Sequence, residues 1–325
     1  MKRVGIAGCG AVAQIYYQPA LSQLEDSGKL LVSGVFDPDP LASSKFASGF
    51  ANAKVSDTFE GLLKQDLDLL IVASPPRFHC EQAVSALQKG IAVHCEKPLA
   101  PSLAEGERMV LEAKRSGALL SIGMVRRRLG AARTIHSLLQ RRSIGRLNSI
   151  EIFEGGPFQW PVSSPAYFAR DKGAVGVLED VGAHVLDLLC WWLGPPHGVD
   201  YSDDSMGGVA ANCMLQLKFE ETIANVRLSR DWHRPNRWQF SGDEGQIHWN
   251  LDDWNKAELQ ISPGRLAVPE KSGATFEQAF ADQLEALAGN EVEGNYVSGA
   301  EALPVLRIFE QCREARTLMD MPWLA

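Results

Sequence analysis

The sequence has no long uninterrupted run of apolar residues. No segment approaches the roughly 18 to 20 consecutive apolar residues that a membrane span requires. The amino-terminal MKRVGIAGCG passes from a short apolar run directly into glycines. It has neither the long apolar region nor the small-residue cleavage site of a signal peptide. These absences predict a cytoplasmic protein with no membrane partner.

Cysteine is sparse and shows no paired spacing. The six cysteines are Cys9, Cys80, Cys95, Cys190, Cys213 and Cys312. Without CxxC pairs they fit neither a zinc site nor a disulfide framework. We therefore expect reduced thiols and no metal site.

An excess of positive charge is also absent. The 32 Lys and Arg residues are outnumbered by 40 Asp and Glu residues, and the net charge is -8. Nucleic-acid binding needs clustered positive charge, so we expect no nucleic-acid partner. With 45% hydrophobic and 22% charged residues, the 325-residue chain is typical of a globular protein large enough for two domains.

The first part of the chain alternates β-rich apolar runs with helical patterns. The strand candidates are VGIAG, LLVSGVF, LDLLIVAS, IAVHCEK and ALLSIGM, and the intervening EQAVSALQKG and LAEGERMVLEAKRSG each end in glycine. Such alternation indicates βαβ units. It predicts an α/β domain with a mostly parallel, doubly wound sheet over residues 1–122, followed by a charged, helical linker.

The remaining residues, 123–325, have longer alternating runs. LNSIEIFEG, ANCMLQLKF, TIANVRLSR and RWQFSG predict strands, and the Glu220–Glu221 pair predicts a hairpin turn. An antiparallel sheet with one covered and one open face follows. Two closing helices complete an α+β domain, with Pro304 expected to kink or delay the second.

A glycine-rich turn follows the first strand. In VGIAGCGAVAQ, Gly8 permits a tight turn and Gly10 allows the backbone to approach a pyrophosphate. Ala13 completes a GxGxxA pattern. The helix that begins with Ala11 and Val12 offers its N-terminal amides to the phosphates. An ordinary βα turn is the alternative.

Asp37 ends the second strand, where a carboxylate accepts hydrogen bonds from the adenosine ribose. Its charge would repel a ribose phosphate, so NAD is favoured over NADP as the cofactor. A flavin is a weaker alternative because no flavin-specific segment is visible. A solvated strand end before Pro38 is the alternative for Asp37 itself.

Two further strands end in suggestive residues. Ser74 ends LDLLIVAS, Pro75 and His79 come in the residues after it, and Glu96 and Lys97 follow IAVHC. Ligands of open parallel sheets bind beyond the carboxyl ends of the strands, so all five are candidate cofactor-binding residues. Lys97 could also polarise a substrate oxygen. The alternatives are a surface ion pair of Lys97 with Glu96 and a capping or packing role for His79.

The apolar segment LEDVGAHVLDLLCWWLGPP carries three polar residues at helical spacing. Asp180, His184 and Asp187 are four and three residues apart, which places them on one helix face. The alternatives are a hydrogen-bonded core histidine and a metal site built from all three. Asp187 is expected to support the other two or to pack the helix.

These motifs together resemble the glucose-fructose oxidoreductase and inositol dehydrogenase (Gfo/Idh/MocA) family. The similar segments are GIAGCGAVAQ, ASPPRFHCEQAVSALQKGIAVHCEKPLA, DVGAHVLDLLCWWLG and SGAEALPVLRIFEQCREAR. Three departures from the family pattern are Ala13, the Ala174–Gly176 segment in place of three glycines, and the tribasic run Arg126–Arg128.

The resemblance implies an NAD(P)-dependent oxidoreductase with an N-terminal Rossmann domain and an open-faced C-terminal sheet that forms homodimers or homotetramers. The implied substrates carry a secondary alcohol or ketone: sugars, inositols or sugar nucleotides. It also implies a catalytic set of Lys97, Asp180 and His184. His184 would be the base, Asp180 would orient it or hold a second hydroxyl, and Lys97 would stabilise the alkoxide or relay the proton.

Two more residues are candidates for substrate binding beside Asp180 and His184. Trp160, in a loop of glycines and prolines, could stack on a sugar ring. Arg127, within the tribasic run, could meet substrate or cofactor phosphates, although a solvated face is the simpler alternative. Two other functions stay open: an enzyme that retains NAD for a non-redox step such as glycoside cleavage, and a non-catalytic dinucleotide sensor.

Overall fold

The computed structural model describes residues 1–161, 175–261, 264–269, 275–289 and 296–320, without the side chains of 265–269. These residues form two compact units. The first comprises residues 1–125 with the described part of 277–306. The second comprises the described parts of 126–276 and 307–325.

The helices and strands are as follows. The strands are β1 (Lys2–Ala7), β2 (Leu30–Phe36), β3 (Lys54–Val55), β4 (Leu69–Val72), β5 (Ala92–Cys95), β6 (Leu120–Ile122), β7 (Leu147–Gly155), β8 (Gly198–Asp203), β9 (Asn212–Lys218), β10 (Ile223–Ser229), β11 (Arg237–Gly242), β12 (Gly245–Asn250), β13 (Lys256–Ile261), β14 (Gly264–Pro269) and β15 (Arg316–Leu318). The helices are α1 (Gln18–Asp26), α2 (Pro40–Ala47), α3 (Phe59–Leu62), α4 (His79–Leu87), α5 (Leu103–Ser116), α6 (Gly130–Gln140), α7 (Val177–Leu193), α8 (Phe276–Ala288) and α9 (Gly299–Glu314).

The sheet of the first unit has the strand order β3-β2-β1-β4-β5-β6, and every pairing is parallel. All four residues of β4 are buried, as expected for a central strand covered by helices on both faces. This confirms the predicted Rossmann fold. The short β3 is an addition that the sequence pattern did not predict.

Local signals set the ends of several helices in this unit. The Ser102 hydroxyl accepts from the Glu105 backbone N–H at 3.3 Å, which caps the start of α5, and it donates to the Glu105 carboxylate at 2.7 Å. Gly117 ends the same helix at φ +68°, a conformation that favours glycine.

Helix α8 belongs largely to the first unit, although it lies far along the chain. Its buried residues are Ala279, Phe280, Ala281, Gln283, Leu284 and Leu287. Lys2 at the start of β1 donates to the Leu287 carbonyl at 2.7 Å. The division of the chain therefore differs from the predicted boundary at 122/123: it falls at Val125/Arg126, and the described part of 277–306 belongs to the first unit.

The sheet of the second unit has the order β14-β13-β12-β11-β7-β10-β9-β8-β15. Its pairings are antiparallel except β7 with β10 and β8 with β15. In β9, Cys213, Leu215 and Leu217 are buried while Met214 faces outward, so the predicted covered and open faces are confirmed. The strands β8 and β12 to β15 were not predicted.

Two expectations about local structure have clear outcomes. The predicted hairpin is confirmed, because the Phe219 N–H donates to the Thr222 carbonyl at 2.9 Å around Glu220 and Glu221. Helix α9 begins at Gly299 and continues through Pro304, so the proline does not delay it. Of the described residues, no helix is both long enough and apolar enough to cross a membrane.

Candidate active site

The turn after β1 has the geometry that the glycine pattern predicted. Gly8 adopts φ +98°, and a Cβ there would lie 2.4 Å from the Ser74 backbone nitrogen. A Cβ at Gly10 would meet no described atom within 4 Å, so the space over this turn is open. Helical backbone begins at Ala11, as predicted, and continues as a π-helix over Ala13–Tyr17 into α1. An open turn followed by a helix N-terminus fits a pyrophosphate.

Asp37 lies directly against this turn. One oxygen of its carboxylate accepts from the Cys9 backbone N–H at 2.7 Å, and the other accepts from the Asp39 N–H at 2.8 Å. These bonds hold the carboxylate at the carboxyl end of β2, next to the glycine turn. The position fits the ribose-binding role that the sequence predicted.

His79 lies behind the strand ends rather than at their surface. Its side chain is 0% exposed, and burial lowers its pKa. The ring nitrogens lie 2.9 Å from the Pro98 carbonyl oxygen and 2.7 Å from the Ser74 carbonyl oxygen. His79 thus joins the loops after β4 and β5, and the prediction that it binds cofactor is corrected to a packing role. Ser74 is half-buried and Pro75 is exposed at the same edge.

Glu96 is buried, and its two carboxylate oxygens have different partners. Oε2 accepts from the Lys97 backbone N–H at 3.0 Å, and Oε1 lies 2.6 Å from the Tyr17 hydroxyl. Burial raises the pKa of Glu96, and the hydrogen bond from Tyr17 opposes that shift. Glu96 therefore lies under the turn that carries Lys97. Lys97 itself is half-buried, beyond the end of β5.

The three polar residues predicted to share one face of α7 differ in burial. Asp180 and His184 are half-buried, whereas Asp187 is buried. The Asp187 carboxylate accepts two hydrogen bonds from Arg127, at 2.7 Å and 2.9 Å. The metal site considered for these three side chains would need the Asp187 carboxylate, which Arg127 already occupies. In the described chain no group of three or more His, Cys, Asp or Glu side chains could hold a metal ion.

The basic run Arg126–Arg128 is not a solvated face. Arg127 is nearly buried in its pair with Asp187, and Arg126 donates to both oxygens of the buried Glu154 at 2.8 Å. The Trp238 indole donates to the same carboxylate at 2.7 Å. The Arg127 guanidinium neutralises a buried carboxylate inside the second unit, which favours a structural role over the predicted substrate contact.

Arg230 is a site residue that the sequence analysis missed. Its buried guanidinium donates to the Asp180 carboxylate at 3.0 Å and to the Val175 and Gly176 carbonyls at 2.8 Å and 3.3 Å. The guanidinium carbon also lies 5.1 Å from the centre of the Phe158 ring. Arg230 therefore holds both the backbone that enters α7 and the Asp180 carboxylate in the first turn of the helix. The only sequence signal was an arginine at the end of the TIANVRLSR strand.

Trp160, the remaining predicted substrate contact, lies close in sequence to a residue that bonds to Arg230. Trp160 is 38% exposed, two residues after Phe158, whose N–H donates to the Arg230 carbonyl at 2.8 Å. Ala174, the first residue of the altered glycine segment, is outside the described residues. The substrate-binding role of Trp160 stays a prediction.

The two units match the two parts of one protein family. Residues 2–124 match the sequence model of an oxidoreductase family with an NAD-binding Rossmann fold, and residues 132–248 match the GFO/IDH/MocA C-terminal domain. The chain belongs to the Gfo/Idh/MocA family. It is therefore an oxidoreductase with an NAD(P)-binding Rossmann domain, as the motifs had indicated.

Known family members are similar along most of the chain. A scyllo-inositol 2-dehydrogenase (NADP(+)) of Bacillus subtilis is 24% identical, over 98% of this chain and 95% of the relative. A glucose-6-phosphate 3-dehydrogenase of the same species is 28% identical, over 85% of this chain and 71% of the relative. The structure of a levoglucosan dehydrogenase in complex with NADH and levoglucosan is similar in fold, with a TM-score of 0.83 at 19% identity, over 97% of this chain and 96% of that one.

Proposed function

We propose that this Gfo/Idh/MocA oxidoreductase interconverts a secondary alcohol and a ketone on a cyclic polyol, a sugar or a nucleotide-linked sugar. One observation carries the proposal. Helix α7 places Asp180 and His184, both half-buried, on successive turns, while the Asp187 carboxylate is buried in its ion pair with Arg127. A polar pair left accessible on an otherwise apolar helix is suited to contact a ligand. The activities of the inositol and glucose 6-phosphate relatives support the substrate class.

Three residues are assigned to the chemistry. His184 takes the proton of the substrate hydroxyl, because an imidazole has its ordinary pKa near neutral pH. Asp180, held by Arg230, orients the imidazole or a second hydroxyl. Lys97 stabilises the negative charge that develops on the substrate oxygen. The nicotinamide, when bound, accepts or supplies the hydride. A positioned base contributes on the order of 100-fold to 10,000-fold to the rate.

The proposed cofactor is NAD rather than NADP. The Asp37 carboxylate is fixed beside the turn by two backbone N–H groups, so its charge stays where a ribose phosphate would have to lie. The other residues assigned to the cofactor are Gly8, Gly10, Ala11, Val12, Ser74, Pro75 and Lys97. Relatives in the family use either cofactor: one is named for NADP(+) and another was crystallised with NADH.

We also propose that the protein is a homodimer or homotetramer formed through the open face of the second unit's sheet. A concave surface on this face has a volume of about 750 Å³ and carries charges of both signs. Residues that line it include Glu151, Asp200, Met214, Arg227, Arg234 and Arg237. A face with both signs of charge can complement itself across a two-fold axis.

A cytoplasmic location is proposed from the cysteines. All six are free thiols, and five of them are buried. Burial raises the pKa of Cys9, of Cys190 and of Cys312, which keeps these groups protonated and unreactive. Reduced, unpaired thiols are typical of the cytoplasm.

The test combines cofactor binding with a substrate scan. NADH binding is measured by fluorescence, and turnover is then followed over inositols, free sugars and sugar nucleotides with Lys97→Ala and His184→Ala as comparison variants. We expect turnover that both substitutions reduce at least about 100-fold. Retained turnover in both variants would contradict the catalytic assignment, and absence of NADH binding would contradict the proposal at its first step.

A further inference from the structure

A chain of buried polar side chains runs through the first unit and ends at Glu96. Tyr17, His94, Ser121, Gln283 and Glu96 are all buried. The Tyr17 hydroxyl lies 2.6 Å from Glu96 Oε1 and 3.1 Å from His94 Nε2. Gln283 Nε2 lies 3.0 Å from the same His94 nitrogen, and His94 Nδ1 lies 2.8 Å from Ser121 Oγ. Four separate segments of the chain are thus joined by one hydrogen-bonded network that ends at the Glu96 carboxylate.

The chemistry of the groups determines the direction of each hydrogen bond. The Gln283 amide nitrogen can only donate, so His94 Nε2 must accept from it. Burial lowers the pKa of His94 to about 3, so the ring is neutral and carries its proton on Nδ1. Nδ1 then donates to Ser121 Oγ, which itself donates to the Val93 carbonyl at 3.4 Å.

This arrangement leaves one place for the Tyr17 proton. Because Gln283 occupies the lone pair of His94 Nε2, the single proton of the Tyr17 hydroxyl goes to Glu96 Oε1. The Lys97 backbone N–H donates to the other oxygen at 3.0 Å. Both oxygens of Glu96 therefore receive a hydrogen bond, which suits a carboxylate and not a carboxylic acid.

The packing around Glu96 leaves this carboxylate little freedom. A Cβ at Gly123 would lie 2.9 Å from Glu96 Oε1, so the glycine allows the carboxylate to lie against the backbone. The Tyr17 ring packs edge-on against Phe280 of α8, with ring centres 5.3 Å apart. Glu96 is thus confined on one side by backbone and on the other by the Tyr17 hydroxyl.

We propose that Gln283, His94 and Tyr17 are positioning residues that hold Glu96 ionised and oriented beneath the backbone of Lys97. Gln283 acts at a distance: its amide occupies His94 and so directs the Tyr17 hydroxyl toward Glu96. The inference rests on the proposed function, in which the turn after Glu96 presents Lys97 to the substrate. It adds a group from α8, which lies far along the chain from every other residue assigned to the site.

Two variants test different hydrogen bonds of this network. Tyr17→Phe removes the donor to Glu96, and Gln283→Met removes the amide while keeping a similar length. Without the amide, His94 Nε2 competes for the Tyr17 proton, so Glu96 keeps part of its hydrogen bond. We expect the pKa of Glu96 to rise by about one unit in Tyr17→Phe and by less in Gln283→Met.

The titration of Glu96 is measured on the cofactor-free protein, by infrared difference spectroscopy with Glu96→Gln used to assign the carboxyl band. Nitrogen NMR on histidine-labelled protein reads the tautomer of His94, and we expect its proton on Nδ1. Tyr16→Phe is the matched control, because Tyr16 stacks on the same Phe280 ring with centres 4.7 Å apart, whereas the hydrogen bonds to Glu96 Oε1 and His94 Nε2 come from Tyr17.

The same variants are then assayed for turnover against pH. Ionised Glu96 supports activity in this proposal, so activity falls as pH drops through the pKa of Glu96. The acid limb of the pH–activity profile should lie at higher pH in Gln283→Met than in wild type, and at higher pH again in Tyr17→Phe. The profile of Tyr16→Phe should coincide with that of wild type. Thermal unfolding monitors folding in each variant.

The outcomes distinguish this inference from the proposed function. A His94 proton on Nε2, or an unchanged titration of Glu96 in Tyr17→Phe, would overturn the inference without reference to turnover. If the variants turn over but the acid limbs of their pH–activity profiles do not follow the order of the Glu96 pKa values, the inference is wrong and the proposed function stands. Absence of any wild-type turnover would contradict the proposed function. The infrared titration of Glu96 and the NMR tautomer of His94 would still test the hydrogen-bonded network.

Discussion

Arg230 at the end of β10 donates a hydrogen bond of 3.0 Å to the carboxylate of Asp180 in the first turn of α7. The same guanidinium donates to two carbonyls that precede the helix. A single buried cation therefore contacts both the backbone that precedes α7 and the Asp180 carboxylate in its first turn. Because Asp180 is assigned to the site, Arg230 becomes the residue through which the sheet positions it.

Replacing Arg230 by lysine tests this relationship. A lysine keeps the charge but cannot donate to three acceptors in the planar geometry of a guanidinium. Losing a hydrogen bond to a charged group costs about 1.5 to 3 kcal/mol, so we expect kcat to fall about 10-fold to 100-fold in steady-state assays. Arg141→Lys, at an exposed position directly after α6 in the second unit, is the control and should retain wild-type kcat. Equal rates for Arg230→Lys and wild type would argue against the positioning role.

The Arg127–Asp187 pair should stabilise the second unit without contacting substrate. Arg127→Leu leaves a buried carboxylate without its partner, which typically costs about 3 to 5 kcal/mol. We expect a loss of that size in the free energy of urea unfolding. The double variant Arg127→Met, Asp187→Leu should recover most of it and keep the wild-type KM. A raised KM in a stable double variant would restore Arg127 as a substrate contact.

Asp37→Asn should relax the preference for NAD. The asparagine oxygen can still accept from the Cys9 N–H, so the turn is kept while the negative charge is lost. We expect the Kd for NADPH to fall about tenfold, equivalent to about 1.4 kcal/mol, with little change for NADH. Fluorescence titration with both cofactors measures this. The charge argument is wrong if NADPH already binds the wild type as tightly as NADH.

The lowered pKa of His94 predicts how the free energy of unfolding depends on pH. Burial lowers the pKa of His94 in the folded protein from its usual 6.5 to about 3. Between these values the unfolded chain binds a proton that the folded chain does not. The free energy of unfolding should therefore decrease as pH falls through this window, by about 1.4 kcal/mol per pH unit from this group.

His94→Gln should remove that contribution, and urea unfolding at several pH values between 6.5 and 4 measures the difference. His197→Gln, at an exposed position, provides the control and should keep the wild-type slope. An identical slope in His94→Gln and wild type would show that the imidazole is not buried in its neutral form.

The open face of the second unit's sheet predicts a charge-sensitive oligomer. Met214 is 44% exposed on this face, so Met214→Glu would place a carboxylate within the proposed interface. We expect sedimentation velocity to show a shift toward monomer. Leu111→Glu, on exposed α5 in the first unit, is the control and should leave the wild-type state unchanged. A wild-type monomer would exclude the proposed assembly.

Much of the fold was predictable because its signals are local. Alternating apolar runs and helices identify the parallel sheet of the first unit, and the bounds of β2, β7 and β11 coincide with the predicted runs. Strands such as β12 and β13 were missed because their polar residues interrupt the alternation and no clear turn signal separates them. The return of α8 to the first unit was also missed, since an amphipathic helix does not specify which sheet covers it.

The sequence by itself determined which residues end strands and which share a helix face: Gly8, Asp37 and Lys97 at the strand ends, and Asp180 and His184 on α7. Strand order and helical periodicity are properties of neighbouring residues, so they can be inferred without the fold. Only the tertiary structure decided the partners of the charged groups. Asp187 pairs with Arg127, Asp180 with Arg230, and Gln283 with His94, each across more than one element of the fold. The physical reason is that a buried charge or polar group takes the partner that packing brings to it, and packing joins segments whose separation in the sequence carries no periodic signal.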